Sequence, residues 1–331
     1  MMVVTRVPLR ISFAGGGTDI PKNYPKGGAV VSAAIDKYIY VIAKNRLDSD
    51  IHVAYKETET VNSVYELKND LIRVAMLRAG MTRGVEVHLI GDLSSFGAGL
   101  GSSGAVLSGL LAALLTLSHK GMLQINYDGV ARTAWELEAE TLNRNSGWQD
   151  PYGCVLPGLK EIWYEDDEVH FRQMWMNKGG LESSLVLIDT DIRRDASNIL
   201  AEQAKDAANK QVVMQKVMDL EKEFVDTMDE YWGEDEYMLP NIVGGILNQG
   251  WHLKKQFADG VSFPELDAMY DAGIEHGATG GKLLGAGGGG FFLFVCPPED
   301  RRLFVERMEK DGYRHMPVRF DNQGIMTTVI D

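Results

Sequence analysis

The chain has 331 residues, 33 Lys and Arg against 47 Asp and Glu, and a formal net charge of −14. That length allows two domains with a sizeable core. The 45% hydrophobic and 24% charged content is ordinary for a soluble globular protein rather than a disordered one. The acidic balance excludes broad polyanion-binding surfaces, so neither nucleic acid nor an anionic membrane is an expected partner. It leaves room for a phosphate held locally by backbone N–H groups and a metal ion.

Residues 29–43 are rich in β-branched and aromatic residues, interrupted by Asp36 and Lys37, which predicts strand material with a candidate turn at the two charges. Residues 85–90 alternate apolar and polar side chains, as a half-buried strand does. A glycine-serine loop follows, and residues 105–118 then read as a buried helix, too short to span a bilayer. Residues 127–143 have helical spacing. Short strands broken by Gly and Pro are expected over 150–176, with another strand over 183–189. Residues 196–230 form a long helical stretch whose charges read as a solvated face. Helical spacing continues over 242–257, and residues 291–295 read as a short buried strand. The composition changes near residue 180, which divides the chain into 1–180 and 181–331.

Cys154 and Cys296 lie far apart, and the His residues show no metal-ligand spacing. A disulfide scaffold and a structural zinc are therefore not expected, and a reducing compartment fits. The first residues lack the basic-then-apolar order of a signal peptide. A soluble cytoplasmic protein is the expectation.

Glycine is concentrated in three places: Gly15 to Gly17, Gly97 to Gly104 and Gly285 to Gly290. Glycine lets a backbone approach a ligand closely. The middle cluster precedes a predicted helix, so its N–H groups and the helix N-terminus suit phosphate. Ser102 and Ser103 there could cap the helix or coordinate Mg²⁺. Gly99, Gly101 and Gly104 satisfy G-x-G-x-x-G, which keeps a nucleotide-dependent oxidoreductase as an alternative. The acidic strand end that motif needs about 20 residues later is missing, because that position is Gln124. No Walker A sequence occurs, since Gly281-Lys282 is followed by Leu283, and there is no kinase H-R-D loop. Asp150, before Pro151, reads by itself as a helix start.

The three clusters, in this order, resemble those of the GHMP kinases, the galactokinase–homoserine kinase–mevalonate kinase superfamily. The wording from Arg10 to Asp19 (RISFAGGGTD), Gly27 to Val41 (GGAVVSAAIDKYIYV) and Gly277 to Phe294 (GATGGKLLGAGGGGFFLF) is most similar to the D-glycero-D-manno-heptose 7-phosphate kinase branch. Fucokinase and galactokinase domains are the alternatives within the superfamily. The resemblance implies a two-domain α+β fold with the active site in the interdomain cleft. Residues 1–180 would carry nucleotide binding and catalysis, and 181–331 the C-terminal kinase domain. It implies ATP and Mg²⁺, with a sugar phosphate as the second substrate.

Residue by residue, the resemblance assigns Gly97, Gly99, Leu100, Gly101, Ser102, Ser103 and Gly104 to the nucleotide, and Ser103 with Glu138 to the metal. Glu138 precedes Asp150 by twelve residues, as in galactokinase-like members, while Glu140 points elsewhere on an ideal helix. Asp150 becomes the base, with Arg10 beside it. Relatives usually carry Gln where this chain has Pro151, which fixes the backbone and removes an N–H. Gly17, Thr18 and Asp19 would meet the sugar, as would Gly287 and Gly288. Arg193, Arg194 and Lys282 are the candidates for a phosphate on the sugar.

Overall fold

The computed structural model describes residues 1–93, 98–122, 125–174, 180–193, 199, 210–231 and 238–330. An eight-stranded sheet is built on β1 (Met2–Ala14), β2 (Ala29–Asn45), β3 (Ile51–Ala54), β4 (Thr58–Val61), β5 (Val85–Gly91), β6 (Leu159–Glu165) and β7 (Glu168–Gln173). A four-stranded sheet contains β8 (Leu185–Asp189), β9 (Gly280–Leu283), β10 (Phe291–Val295) and β11 (Arg314–Met316), in the order β11-β8-β10-β9. The last strand, β12 (Met326–Ile330), returns to the first sheet and pairs antiparallel with Met2 to Arg6 of β1. A clean division at residue 180 is thus corrected at the chain's end: residues 326–330 complete the N-terminal sheet.

The charges of Asp36 and Lys37 do not make a turn. β2 runs through them, and β1 skips both, pairing Pro8 with Tyr38 and Leu9 with Ile35. At this bulge β2 also changes its other neighbour, from β6 over residues 29–33 to β5 over 39–45. One long strand can therefore serve two partners and curve the sheet around what lies on its face.

That face is covered by α2 (Ser102–Ser118) and α4 (Gln149–Val155), with α1 (Asp70–Arg78) and α3 (Tyr127–Glu136) packed against α2. α2 is apolar almost all round because it is buried almost all round, from Gly104 to Leu117. The expectation of a strand from residue 150 is corrected, since 149–155 is helical. So is the start of the strand at 183, because α5 (Gly180–Ser184) precedes β8. In the second sheet, alternate residues face opposite ways. Val186, Ile188, Phe292 and Phe294 enter one core, while Leu185, Leu187, Leu293 and Val295 enter the other. A sheet buried on both faces explains why residues 291–295 are apolar without alternation.

The remaining α-helices among the described residues are α6 (Gln211–Glu230), α7 (Leu239–Lys254), α8 (Pro264–Glu275) and α9 (Arg301–Lys310). The predicted helix over 196–230 lies mostly outside the described residues before 210. Its charges are not all solvated. Glu221 is buried, and burial, reinforced by Glu161, pushes its carboxyl up to about 8. No described helix is long and apolar enough to cross a membrane.

Candidate active site

A cleft of about 1120 Å³ takes residues from both sheets and from the loops between them. α2 points its N-terminus into it. Its N-cap is Gly101, at φ 76°, which has no side chain with which to cap the first turn. The leading N–H groups, with the positive end of the helix dipole, therefore lie beside the cleft, where Ser102 and Ser103 line the wall. Gly99 and Gly285 bring the second and third glycine segments into backbone contact. A Cβ on Gly99 would lie 2.6 Å from the Leu284 carbonyl oxygen, and one on Gly285 would lie 2.5 Å from the Gly99 Cα. Both also have positive φ, so only glycine fits this junction.

Two residues of the loop have other duties. Leu100 is wholly buried, and its carbonyl accepts the Arg10 backbone N–H at 3.0 Å. Gly104 is buried too, and a Cβ there would lie 2.6 Å from Asp150 C and Pro151 N. Its side chain is missing so that α2 can pack against α4. Gly97 lies outside the described residues.

Asp150 occupies the first turn of α4. Arg10 donates from both Nε (3.0 Å) and Nη2 (2.5 Å) to its Oδ1, and from Nη1 to the Gly99 carbonyl oxygen at 2.6 Å. One guanidinium thus locks the carboxylate to the loop. Burial alone would weaken the Arg10 charge, but Asp150 and Asp19 outweigh it and raise its pKa. Pro151 falls where helical N–H groups have no intrahelical acceptor, so its missing donor costs no bond.

Asp19 is buried and accepts the Gly17 N–H on Oδ1 at 2.8 Å. Burial and then Asp150 push its carboxyl up to about 6, against the opposing Gly17 bond and Arg10. Thr18 is corrected: only 1% exposed, it lies behind the wall and donates its hydroxyl to the Gly15 carbonyl oxygen at 2.7 Å. It shapes the loop that presents Asp19 and Gly17.

α3 ends in a π turn, Leu137–Thr141, rather than continuing to 143. The wider turn carries Glu138 inward, to 4% exposure, and leaves Glu140 outside. Glu138 Oε2 accepts from Ser103 at 3.4 Å and Ser146 at 3.1 Å, and Oε1 accepts from Arg144 at 3.4 Å. Arg144 also grips both oxygens of Asp70 at 2.9 Å. Burial, then the Asp150 charge, raises the Glu138 pKa. A buried carboxylate beside a hydroxyl and near a second carboxylate is suited to a hard cation. Among the described residues no group of three His, Cys, Asp or Glu could hold a metal. Ser103 and Glu138 fit Mg²⁺, which keeps waters and shares its shell with phosphate oxygens, rather than a metal needing a full protein cage.

Arg193 also lines the cleft; it is held by Asp189 at 2.8 and 2.9 Å and lies 5.6 Å over the Phe291 ring. Lys282 is buried, donates to the Phe13 carbonyl oxygen at 3.0 Å, and has its pKa lowered to about 8 by burial and then Arg10. Gly287 lines the wall. Gly288 does not: its N–H donates to the Val261 carbonyl oxygen at 2.9 Å, which corrects its assignment to substrate. Arg194 lies outside the described residues. Arg144, Ser146 and Lys254, which no sequence motif marks, also line the cleft.

The GHMP kinases N terminal domain model matches residues 62–158, and the GHMP kinases C terminal model matches 238–314, together more than half of the chain. The chain belongs to the GHMP kinases. It is 26% identical to the D-glycero-alpha-D-manno-heptose 7-phosphate kinase of Campylobacter jejuni, over 97% of each chain. It is 25% identical to the L-fucokinase/L-fucose-1-P guanylyltransferase of Bacteroides fragilis, over 95% of this chain and 37% of that longer protein. The crystal structure of a D-glycero-D-manno-heptose 1-phosphate kinase from Bacteroides thetaiotaomicron superposes with a TM-score of 0.72 at 24% identity, covering 99% of both chains. In a GHMP kinase the G-x-G-x-x-G match needs no dinucleotide, and the oxidoreductase alternative falls away. The spacing of Gly99, Gly101 and Gly104 arises from a backbone junction, a helix cap and a helix contact.

Proposed function

We propose that this GHMP kinase transfers the γ-phosphoryl group of ATP to the anomeric hydroxyl of D-glycero-D-manno-heptose 7-phosphate, giving the 1,7-bisphosphate. The observation that carries the proposal is Asp150 fixed by Arg10 beside the uncapped N-terminus of α2, with buried Asp19 facing the same cleft. Phosphoryl transfer asks for positioning and charge stabilisation more than for covalent chemistry. The α2 N-terminus and the backbone at Gly99 and Gly101 receive phosphate oxygens. Ser103 and Glu138 would hold Mg²⁺, which when bound supplies charge neutralisation on those phosphates.

Both Arg10 donors to Asp150 go to Oδ1, and among the described residues Oδ2 accepts no hydrogen bond. Oδ2 is the atom that takes the proton of the attacking hydroxyl. An anomeric hydroxyl is more acidic than an ordinary alcohol, which suits a carboxylate base. Asp19 accepts from the sugar hydroxyls. Arg193 and Lys282 place positive charge where a phosphate on the sugar can be met. Dependence on ATP fits a cytoplasmic site of action.

Two measurements test this. ADP release is followed with D-glycero-D-manno-heptose 7-phosphate, L-fucose, galactose and mannose, and the heptose phosphate is expected to give by far the highest kcat/KM. Turnover of L-fucose with none of the heptose phosphate would replace the substrate while leaving family membership intact. Glu138→Gln is expected to raise the Mg²⁺ concentration for half-maximal rate by about tenfold or more. An unchanged Mg²⁺ dependence would remove Glu138 from the metal site.

A further inference from the structure

Lys254, at the end of α7, is 9% exposed and lines the cleft close to Lys282 of β9, which is 7% exposed. Lys254 Nζ donates to the Leu283 carbonyl oxygen at 2.6 Å and to the Gly285 carbonyl oxygen. Lys282 Nζ donates to the Phe13 carbonyl oxygen. Among the described residues neither ammonium is ion-paired with a carboxylate. Buried lysines are ordinarily paired, because an uncompensated charge in a low-dielectric site is costly.

Both lie within electrostatic reach of Arg10 instead, and Lys254 within reach of Lys282. Lys254 feels burial first, then Lys282 and Arg10, and its pKa falls well below the usual lysine range. Lys282 feels burial and Arg10, with Asp19 opposing. Arg193 and Asp150 line the same cleft. The carbonyls fix both nitrogens in place, yet an ammonium has three donors, so one remains on Lys254 and two on Lys282. Two buried lysines without a carboxylate, beside an Arg10 already paired with Asp150, are unfavourable as ammonium groups alone. They become favourable around a compact dianion.

We propose that Lys254 completes, with Lys282, a seat for a phosphate monoester, and that the phosphate already on the sugar occupies it. This rests on reading the cleft as a sugar-phosphate kinase site. Arrival of the dianion restores the charged form of both lysines, so binding takes up protons from solvent.

The full chain is titrated calorimetrically at pH 8 with D-glycero-D-manno-heptose 7-phosphate in two buffers of different ionisation enthalpy. Inorganic phosphate serves as a second probe of the seat alone. Net proton uptake is expected with both ligands. Lys254→Met is expected to raise KM for the sugar phosphate about tenfold or more, with KM for ATP changed less than twofold. Lys254→Arg keeps the charge but cannot titrate. It is expected to retain most of the affinity while proton uptake falls to the share of Lys282, a pattern that a loosened fold would not give. Thermal unfolding of both variants checks that the fold survives. A rise in KM for ATP instead would assign the seat to the nucleotide and overturn the proposal, as would unchanged proton uptake in Lys254→Arg. If the wild type turns over free sugars but no sugar phosphate, the functional reading fails and the inorganic phosphate arm decides. Proton-linked binding lost in Lys254→Met would keep the seat, and no such binding would remove it.

Discussion

Replacing Asp150 with Asn is expected to lower kcat by on the order of 10³-fold or more, while the affinity for ATP stays within about threefold. The two effects separate because the carboxylate and the phosphate loop touch Arg10 from different sides. Arg10 donates to Asp150 from Nε and Nη2 and to Gly99 from Nη1. An Asn side chain can still offer one oxygen to Arg10, so the loop keeps its anchor and the nucleotide keeps its seat. The second carboxylate oxygen, the one that takes the hydroxyl proton, becomes an amide that cannot act as a base.

The same substitution also has an electrostatic consequence. The Asp150 charge contributes to the raised pKa values of both Asp19 and Glu138. Removing it should lower both, and the Asp19 carboxyl, at about 6 in the wild type, is the one to follow by NMR titration. Steady-state kinetics and nucleotide binding check the first part. A kcat near that of the wild type would dismiss Asp150 as the base.

What could be read from the sequence, and what could not, follows from where each signal resides. The glycine segments are visible because close backbone approach demands a residue type, and three of them in fixed order resemble one superfamily. Such a motif does not separate residues that touch a ligand from residues that fold the loop. Thr18 and Gly288 belong to the second kind, each with a polar group used inside the protein. Glu138 is found from its distance to Asp150, but the π turn that aims it is not, since helical spacing reads straight through residues 137–141. Asp36 and Lys37 look like a turn because charges interrupt an apolar run, whereas a bulge also places them outside the pairing.

Lys254 and Glu221 show the opposite failure. Each sits on a helix where charge suggests solvent, and only the packing of that helix against the rest of the chain buries it. A lysine in a last helical turn is what the helix dipole favours anyway, so nothing local distinguishes it. The return of β12 to β1 is equally non-local, joining residues at the two ends of the chain.

Arg10 gives the second large effect. Its side chain is 3% exposed and threads between α2 and α4, where a Cβ on Gly101 would lie 2.8 Å, and one on Gly153 3.1 Å, from its Cγ. Those glycines make room for the guanidinium stem. The planar fork then reaches Asp150 and the Gly99 carbonyl at once, which a lysine cannot do with a single nitrogen. Arg10→Lys keeps the charge and loses one of the two anchors. A reacting group misplaced by about an ångström loses on the order of 10²-fold in rate, and that is the expected fall in kcat.

Arg10→Met removes the charge as well. Removing one partner of a fully buried ion pair costs about 3–5 kcal/mol, and the 30% exposure of the Asp150 side chain puts this case at or below the lower bound. The two variants therefore diverge. The lysine variant should lose rate with little loss of stability, and the methionine variant should lose both. Chemical denaturation beside kinetics makes the comparison. Equal rates for Arg10→Lys and the wild type would mean that the charge alone matters, and that the fork joining base and loop has no part in holding Asp150 for reaction.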